Sequence, residues 1–385
     1  MPLTPEQLVV VAGISKRLSE LGISCKWTEP ISVGPIVSVY RFVPQATTAV
    51  ANMTKLNDDI AIALGVEDVV IRRMAGEGAV SFFVPNKTRK LVSYLDTVQN
   101  VWRATHGVEG RIHEHILPLN LGVDYLGRPA VEDLAKLPHL LIAGSTGSGK
   151  STLVSSILAS LIYCTSPTNV QLVLSDTKGV EFHRFNGAPH LMFPVAKDVC
   201  TTLEYFDLVL ETMEKRLAQI GRAQLQNIGQ YREKIGPMNW IVLVIDELAD
   251  LLTDETRLEV TDEDGETKKG KPLGKQAQYK LSKIVQKSRA AGIHVIAGTQ
   301  RPSVDVVKGS IKANFPARLT FRLPSQADST TIIGTEGAEH LLSRGDMLYL
   351  SPNKPGIQRL HAPFTKLEEI DAAVEAACAR SQSYG

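Results

Sequence analysis

The sequence predicts an α/β protein whose parallel β-sheet is covered by helices on both faces, together with a smaller N-terminal α+β domain. From about residue 136, short apolar segments alternate with segments of helical periodicity. That alternation is typical of parallel strands that are buried on both faces. Before residue 106, the order of helix, strand, helix, strand and strand favours a separate small domain of about 100 residues.

The N-terminal domain is predicted to begin with an amphipathic helix over residues 4–22, because Thr4 and Gln7 have the spacing of a capping box. Strand-like segments follow, with one helical segment between the first two of them, in the order 35–43, 50–64, 69–72 and 79–84. We assign residues 1–105 to this domain. Residues 106–135, which contain turn-forming glycines and a proline, are assigned to a hairpin connection.

The larger domain is predicted over residues 136–385. Its elements follow one another as strand 140–143, helix 151–164, strand 170–175, a helical region from about 200 to 233, strand 240–245, helix 276–291 and strand 294–298. Residues 253–275 break this alternation with an acidic first part and a basic end, so we expect them to form a mobile, solvated insertion. A dedicated binding element is the alternative interpretation of these residues.

The composition excludes several classes of protein. Lysine and arginine together number 42 and acidic residues 41, and a net charge of +1 is not that of a protein that coats DNA. The four cysteines are scattered without the spacing of a zinc site, which favours a reducing, cytoplasmic location. No segment approaches the roughly 18 apolar residues of a membrane span, so we expect no membrane contact from this chain.

Residues 144–152 contain the GxxxxGK[ST] pattern of a phosphate-binding loop, between a predicted buried strand and a predicted helix. Its glycines let backbone N–H groups converge on phosphate oxygens, and the helix N-terminus adds its positive dipole end. Lys150 would reach the β- and γ-phosphates and Ser151 would bind Mg²⁺, so ATP and Mg²⁺ are the expected cofactors. The predicted nucleotide-binding residues are Gly144, Ser145, Thr146, Gly147, Ser148, Gly149, Lys150, Ser151 and Thr152.

Asp246 and Glu247 follow the apolar strand that ends at residue 245. We expect this strand to lie beside the strand that precedes the phosphate-binding loop, with both carboxylates at the phosphate end. Asp246 would then hold the Mg²⁺ shell, and Glu247 would polarise the attacking water. Adjacent acidic residues at a strand end are also common as helix caps, which is the alternative interpretation.

Two further residues complete the predicted catalytic set with Lys150 and Glu247. Gln300 follows the predicted strand 294–298, where a polar side chain can sense the γ-phosphate. Arg289 lies on the helix before that strand and is a candidate arginine finger that acts across a subunit interface. A surface arginine is the alternative for Arg289, and the residue pattern alone does not rank it above Arg301.

These motifs, with several further segments, make the chain similar to the motor region of the FtsK/SpoIIIE DNA translocases. The similarity extends from about residue 30 to 370. P-loop ATPases in general lack the second half of the matching set. The matching segments are 134–141, 244–251, 289–294, 299–306, 311–314 and 345–349, and residues 34–37 and 64–66 resemble the family's smaller motor subdomain.

The resemblance implies a RecA-like P-loop NTPase domain stacked on the smaller domain, a hexameric ring of identical chains, and double-stranded DNA as the partner. Arg289 is similar to the family's trans-acting arginine finger, and Arg301 and Lys312 fall where the family's pore-facing loops contact DNA phosphates. Lys308 lies in the same segment and is grouped with them. A solvated helix face is the alternative for Lys308 and Lys312.

Several features depart from the family's pattern. Where the family has basic residues in the segment 325–331, this chain has Gln326 and Thr330, which predicts a weaker grip on DNA. The family's membrane-anchoring N-terminus and its winged-helix module have no counterpart in the 385 residues. We therefore expect either a stand-alone motor, such as a phage or plasmid would encode, or an excised part of a longer protein.

The leading functional hypothesis is an ATP-dependent translocase of double-stranded DNA. A coupling or secretion ATPase that moves protein or a nucleoprotein is the first alternative, because such relatives share the P-loop core. The segments 299–306 and 345–349 favour the translocase, whereas the uncharged Gln326 and Thr330 favour the alternative. A nucleotide-switched scaffold is a third hypothesis, and an intact Glu247 argues against it.

Overall fold

The N-terminal domain is a helical layer packed on an antiparallel sheet. The structure, a computed structural model, describes residues 3–45, 50–73, 78–106, 115–261, 267–303, 306–307 and 309–382. Within those residues the small domain contains α1 (Pro5–Glu20), β1 (Cys25–Val33), β2 (Val37–Pro44), α2 (Val50–Met53), α3 (Asn57–Leu64), β3 (Val70–Arg73) and β4 (Val80–Pro85). The sheet order is β1-β2-β4-β3. Both capping-box hydrogen bonds between Thr4 and Gln7 are present, as the sequence predicts.

The rest of the described chain forms the larger domain. Its first elements are α4 (Tyr94–His106), β5 (Pro118–Asp124), β6 (Pro129–Asp133), β7 (His139–Ala143), α5 (Lys150–Cys164), β8 (Val170–Ser175), α6 (Val199–Arg222), α7 (Ile228–Lys234), β9 (Trp240–Ile245) and α8 (Leu248–Leu252). They are followed by β10 (Glu259–Thr261), β11 (Thr267–Lys269), α9 (Leu273–Lys287), β12 (Ile293–Thr299), α10 (Gly309–Asn314), β13 (Ala317–Thr320), α11 (Gln326–Ile333), β14 (Asp346–Leu350), β15 (Ile357–His361) and α12 (Leu367–Gln382).

A mixed sheet organises the larger domain. Among the described residues it has nine strands in the order β6-β5-β15-β14-β13-β7-β12-β9-β8. The five from β13 to β8 are parallel, and the other four extend the sheet by antiparallel pairing. The predicted fold class is confirmed for the parallel part, with the flanking helices. The antiparallel extension was not predicted.

The order of the parallel strands corrects one expectation about the site. The strand that leads to Asp246 was expected beside the strand before the phosphate-binding loop, but β12 pairs with both β7 and β9 and separates them. The pairing aligns Thr299 with Ala143 and Ala297 with Ile245. Because the strands are parallel, their carboxyl ends still meet at one edge of the sheet. The carboxylates therefore lie near the loop although their strands are not neighbours.

Alternating side chains of the central strands divide the larger core between the two faces of the sheet. Leu140 and Ile142 belong to one apolar cluster, with α4, α5 and α12, whereas Leu141 and Ala143 belong to a second, with α6 and α9. Strands covered on both faces are expected to be apolar throughout.

In the described part of the chain, no helix has both the length and the apolar character that crossing a bilayer requires.

The domain boundary moves relative to the prediction. We assigned residues 94–105 to the small domain, but Tyr94, Val98 and Val101 of α4 are buried in the same cluster as α5. The predicted hairpin connection is likewise part of the large sheet, because β5 pairs with β15. An amphipathic pattern indicates that a helix buries one face, and it does not say against which core, so we place the boundary before residue 94.

Two local predictions also change. The helical region 200–233 is broken into α6 and α7, and Gln224 between them has a positive φ of 57°. Within 253–275, β10 and β11 form an antiparallel ribbon, and α9 begins at Leu273. Residues 262–266 of the expected mobile insertion lie outside the described residues.

Residues 336–346, which we call the bridging segment, contact both the small domain and the phosphate-binding loop. Leu342 packs among apolar residues of the small-domain sheet. His340 Nδ1 lies 3.3 Å from Asp68 Oδ2, and this contact raises the pKa of His340. At the other end, the Gly345 N–H donates to the carbonyl of Ser148 at 3.0 Å. One short segment therefore joins the two domains at the loop itself.

Candidate functional site

The phosphate-binding loop has the geometry of an anion cradle. Gly147 and Gly149 have positive φ angles of 75° and 117°, which glycine adopts without steric cost. A Cβ on Gly149 would lie 3.0 Å from the Gly345 nitrogen. No side chain among the described residues caps the start of α5, so its first N–H groups point into the loop. The buried Ser148 hydroxyl also lacks a partner within the described residues. These free donors fit a nucleotide phosphate.

Lys150 and Asp246 form a buried ion pair in the centre of the site. Lys150 Nζ lies 2.8 Å from Asp246 Oδ1 and 2.7 Å from the Asp246 carbonyl oxygen. The approach depends on Gly298 of the intervening strand β12, because a Cβ there would lie 2.4 Å from the Asp246 carbonyl and 3.1 Å from Lys150 Nζ. Gly298 was missed in the sequence analysis, although a glycine inside an apolar strand often marks such a close approach.

Glu247 is buried beside this pair and makes several hydrogen bonds. The Thr299 hydroxyl donates to Glu247 Oε1 at 2.9 Å, and the Gln300 N–H contacts the two carboxylate oxygens at 3.1 and 2.9 Å. Glu247 Oε1 also accepts from the Ala249 N–H at 3.2 Å, at the start of α8. The carboxylate is thus a helix cap, as the alternative interpretation expected, and it lies at the phosphate edge as well.

Gln300 reaches the phosphate-binding loop because β12 lies next to β7. Its Oε1 accepts a hydrogen bond from the Thr146 hydroxyl at 2.9 Å. Thr152, the last predicted nucleotide-binding residue, lies in the first turn of α5 beside Ser151. The structure therefore gathers the predicted loop residues, the two carboxylates and Gln300 at the carboxyl edge of the parallel strands. Ser151 contributes a hydroxyl oxygen there and Asp246 a carboxylate oxygen, and oxygen is the ligand atom that Mg²⁺ prefers.

The loop after β8, residues 176–182, adds charged groups that the sequence analysis did not single out. Lys178 Nζ lies 3.5 Å from Asp250 Oδ2 and 3.9 Å from Glu247 Oε2. The Ser151 hydroxyl donates to Glu181 Oε1 at 2.8 Å. β8 is three strands away from β7, and no local pattern links Ser151 with Glu181. The only available signal was the charged turn that follows an apolar strand.

Arg289 lies at the opposite edge of the sheet. It is exposed on a 3₁₀ turn, Ser288–Ala291, immediately before β12, whereas Gln300 follows the other end of that strand. The seven residues of β12 span about 23 Å at about 3.3 Å a residue. One arginine side chain cannot cover that distance to the loop of its own chain. The candidate finger and the candidate phosphate site are therefore separate within one chain.

The candidate DNA contacts form a third location. Arg301 is exposed directly after Gln300, and Lys308 lies outside the described residues. Lys312 on α10 is half-buried, which lowers its pKa, and its Nζ lies 3.5 Å from the carbonyl oxygen of Thr330 on α11. Thr330 and Gln326 are themselves exposed on α11. The structure thus brings Lys312 together with the helix that carries the two uncharged replacements.

Fold and site together define a P-loop ATPase in which an additional strand, β12, separates the loop strand from the carboxylate strand. Residues 109–304 match the FtsK/SpoIIIE family, and residues 9–86 match the FtsK alpha domain. The chain belongs to the FtsK/SpoIIIE family.

Named relatives agree with this assignment. The DNA translocase FtsK of Helicobacter pylori (strain J99 / ATCC 700824) is 36% identical over 351 residues, which cover 89% of this chain and 38% of the relative. That of Staphylococcus aureus (strain COL) is 35% identical over 373 residues, or 94% of this chain and 44% of the relative. The chain thus spans less than half the length of these curated relatives.

Solved structures share the fold at lower identity. The pCW3 conjugation coupling protein TcpA, in its monomer form with ATPγS, is 22% identical with a TM-score of 0.64, covering 96% of this chain and 99% of that chain. The cytoplasmic domain of the Thermomonospora curvata type VII secretion ATPase EccC is 20% identical with a TM-score of 0.60, covering 74% of this chain and 34% of that chain. Similarity at this level concerns the fold alone.

Proposed function

We propose that this chain hydrolyses ATP with Mg²⁺ and uses the free energy to move double-stranded DNA through a hexameric ring of identical chains. The geometry of the loop and the carboxylates supports the hydrolysis, and the relatives named as DNA translocases support the substrate. The observation that carries the ring is the separation of Arg289 from the phosphate site. A site that needs both groups is complete only when two chains meet.

The residues at the carboxyl edge would divide the chemistry among them. Mg²⁺, held by Ser151 and Asp246, would neutralise charge on the phosphates. Lys150, which is paired with Asp246 at the start of α5, would bind the β- and γ-phosphate oxygens. Glu247 would orient and polarise the attacking water, since the Thr299 hydroxyl and the Gln300 N–H fix its carboxylate.

Arg289 would supply the remaining positive charge from the adjacent chain of the ring. A trans-acting arginine finger stabilises the charge that develops on the transferred phosphoryl group and is worth about 10³ to 10⁵ in rate. Its exposure, and its distance of about 23 Å from the end of its own β12, suit a contact with a second chain rather than its own.

The grip on DNA would come from phosphate contacts by Arg301, Lys308 and Lys312. Phosphate contacts carry no base information, so they allow a motor to run over any sequence. A coupling or secretion ATPase that moves protein or a nucleoprotein remains the second candidate. The observation that favours it is the exposed, uncharged surface of Gln326 and Thr330 beside Lys312.

Mixing two inactive variants tests the ring and the finger together. Arg289→Ala retains an intact phosphate site, and Lys150→Ala retains an intact finger. In mixed rings, some junctions regain both groups, so we expect ATPase activity well above the sum of the separate variants. A mixture no more active than its components would contradict a finger that acts in trans.

The same assay, run with and without linear duplex DNA on the unaltered chain, separates the two candidate functions. Stimulation by duplex DNA alone supports the translocase. ATPase activity that ignores DNA and rises only with a protein or nucleoprotein substrate supports the alternative. Hydrolysis that rises steeply with protein concentration is expected in either case, because both use a multi-chain site.

A further inference from the structure

Glu181 occupies a place in the site that no motif assigns to it. Its Oε1 accepts the hydrogen bond of the Ser151 hydroxyl at 2.8 Å. The usual acidic neighbour, Asp246, has its Oδ1 in contact with Lys150 at 2.8 Å. The Ser151 proton is therefore directed to the carboxylate from the loop after β8, and away from the carboxylate at the end of β9.

The loop that carries Glu181 is well fixed. The buried Asp176 accepts hydrogen bonds from the N–H groups of Gly179 at 2.9 Å, Glu181 at 2.7 Å and Phe182 at 3.0 Å. The Phe182 side chain is 1% exposed and belongs to the main apolar cluster. These contacts on both sides hold the Glu181 backbone in place. The Glu181 side chain therefore extends from a fixed backbone position to the Ser151 hydroxyl.

The direction of the hydroxyl proton matters for binding a cation. A serine hydroxyl has one proton to donate and two lone pairs with which to accept or to ligate. When the proton points to Glu181, the lone pairs face away from that carboxylate and are free for a metal ion. Partners that orient a metal ligand in this way typically change metal affinity 10- to 100-fold when they are removed.

We propose that Glu181 is a positioning residue that sets Ser151 for Mg²⁺, and that it does so without touching the nucleotide. The inference rests on the proposed function, because it needs Ser151 to be a ligand of Mg²⁺. The metal site would then also require a residue from the loop after β8, a strand that is three positions away from β7 in the sheet. The loop of residues 176–182 is then part of the nucleotide machinery, and not only a connection between β8 and α6.

Nucleotide binding, measured without turnover, provides the test. A fluorescent ATP analogue is titrated into the full chain, first in EDTA and then at increasing Mg²⁺ concentration. Glu181→Ala should bind the analogue in EDTA within about twofold of the unaltered chain. The Mg²⁺ concentration that gives half of the tightening should rise about 10- to 100-fold. Glu181→Gln should fall between the two, because its amide oxygen still accepts the Ser151 proton.

Two further variants control the result. Glu204→Ala removes an exposed carboxylate from α6 and should leave both affinities unchanged. Ser151→Ala removes the ligand itself, so adding Glu181→Ala to it should produce no additional loss, as expected for two residues that act through one contact. An additive loss in the double variant would contradict a role through Ser151.

The remaining outcomes are equally distinct. Unchanged Mg²⁺ dependence in Glu181→Ala would overturn the inference while leaving the proposed function intact. Equal losses of nucleotide affinity in EDTA and in Mg²⁺ would also overturn it, because they would show that Glu181 only maintains the conformation of the loop. If the unaltered chain itself binds no nucleotide under either condition, the proposed function fails instead.

Discussion

Gly298 lies where the contact between Lys150 and Asp246 leaves no room for a side chain. In Gly298→Ala, the new methyl group would lie 2.4 Å from the Asp246 carbonyl oxygen, a distance that forces the backbone of β9 or β12 to move. Both strands are central and buried, so neither shifts freely. We expect at least a tenfold loss of nucleotide affinity, measured by titration, and a loss of stability of about 1–3 kcal/mol.

Gly221→Ala is the matched control for this substitution. Gly221 lies near the end of α6, and a Cβ there would meet no atom within 4 Å. Alanine is a better helix former than glycine by up to about 1 kcal/mol, so this variant should be as stable as the unaltered chain or more so. Nucleotide affinity should not change. Equal binding by both variants would show that the Gly298 contact is unimportant.

The residues of the site differ in how far the sequence alone could predict them. The phosphate-binding loop was predicted correctly to follow a buried strand and to lead into a helix, because both the motif and its flanking elements are local in sequence. Glu181 and Lys178 were missed, because their partners are 30 and 69 residues distant in sequence. Ordinary charged residues in a turn carry no mark of such a partner. Gly298 had a weak signal that was not used.

The helices α10 and α11 carry the prediction about DNA. Lys312→Glu reverses the charge beside Thr330, and a phosphate contact there should be replaced by repulsion. We expect weaker binding to duplex DNA, with the slope of log K against log salt reduced by about 0.9 for each lost contact. Binding measured by fluorescence anisotropy at several salt concentrations gives the slope. Basal ATPase activity without DNA should remain.

Matched substitutions separate this effect from net charge. Lys16→Glu on α1 makes the same change at an exposed position of the small domain and should alter the slope little. The paired substitutions Gln326→Lys and Thr330→Arg place charge next to Lys312 and should strengthen binding. If Lys312→Glu leaves both affinity and slope unchanged, Lys312 belongs to a solvated helix face.

At the scale of elements, the types were predictable and their partners were not. Apolar segments that alternate with segments of helical periodicity correctly indicated the parallel strands and the covering helices, because each such pattern is contained in neighbouring residues. The position of β12 between β7 and β9 depends on pairing with strands that are distant in sequence, since Val295 pairs with His139 and Ile293 pairs with Ile241. The same limit explains α4, whose apolar stripe fits either domain and packs on the larger one.

Three buried histidines and the partly buried His361 make the stability of the whole molecule sensitive to acid. Burial lowers the pKa of His139 to about 3 and the pKa values of His190, His294 and His361 to about 4. Their pKa in the unfolded chain is about 6.5. Between those values the unfolded chain binds more protons than the folded chain. The free energy of unfolding therefore falls as the pH is lowered from about 6.5 towards 4.

Urea unfolding at a series of pH values measures this loss. Each histidine contributes at most about 1.4 kcal/mol per pH unit, and four histidines with lowered pKa values predict a steep decline. His340 acts in the opposite direction, because its contact with Asp68 raises its pKa, but it is one residue and is only half-buried. A free energy of unfolding that is constant between pH 7 and 4.5 would contradict this account.

The placement of β12 has a consequence for a ring built in the proposed way. All seven of its residues are buried, and it is hydrogen-bonded along both edges, so it cannot stretch. Arg289 precedes one end, where it would face an adjacent chain of such a ring, and Gln300 follows the other end, at the chain's own loop. Each β12 would then be a rigid connection between two nucleotide sites, that of its own chain and that of the adjacent chain. Rigid connections of this kind would couple hydrolysis at each site to the next site around the ring.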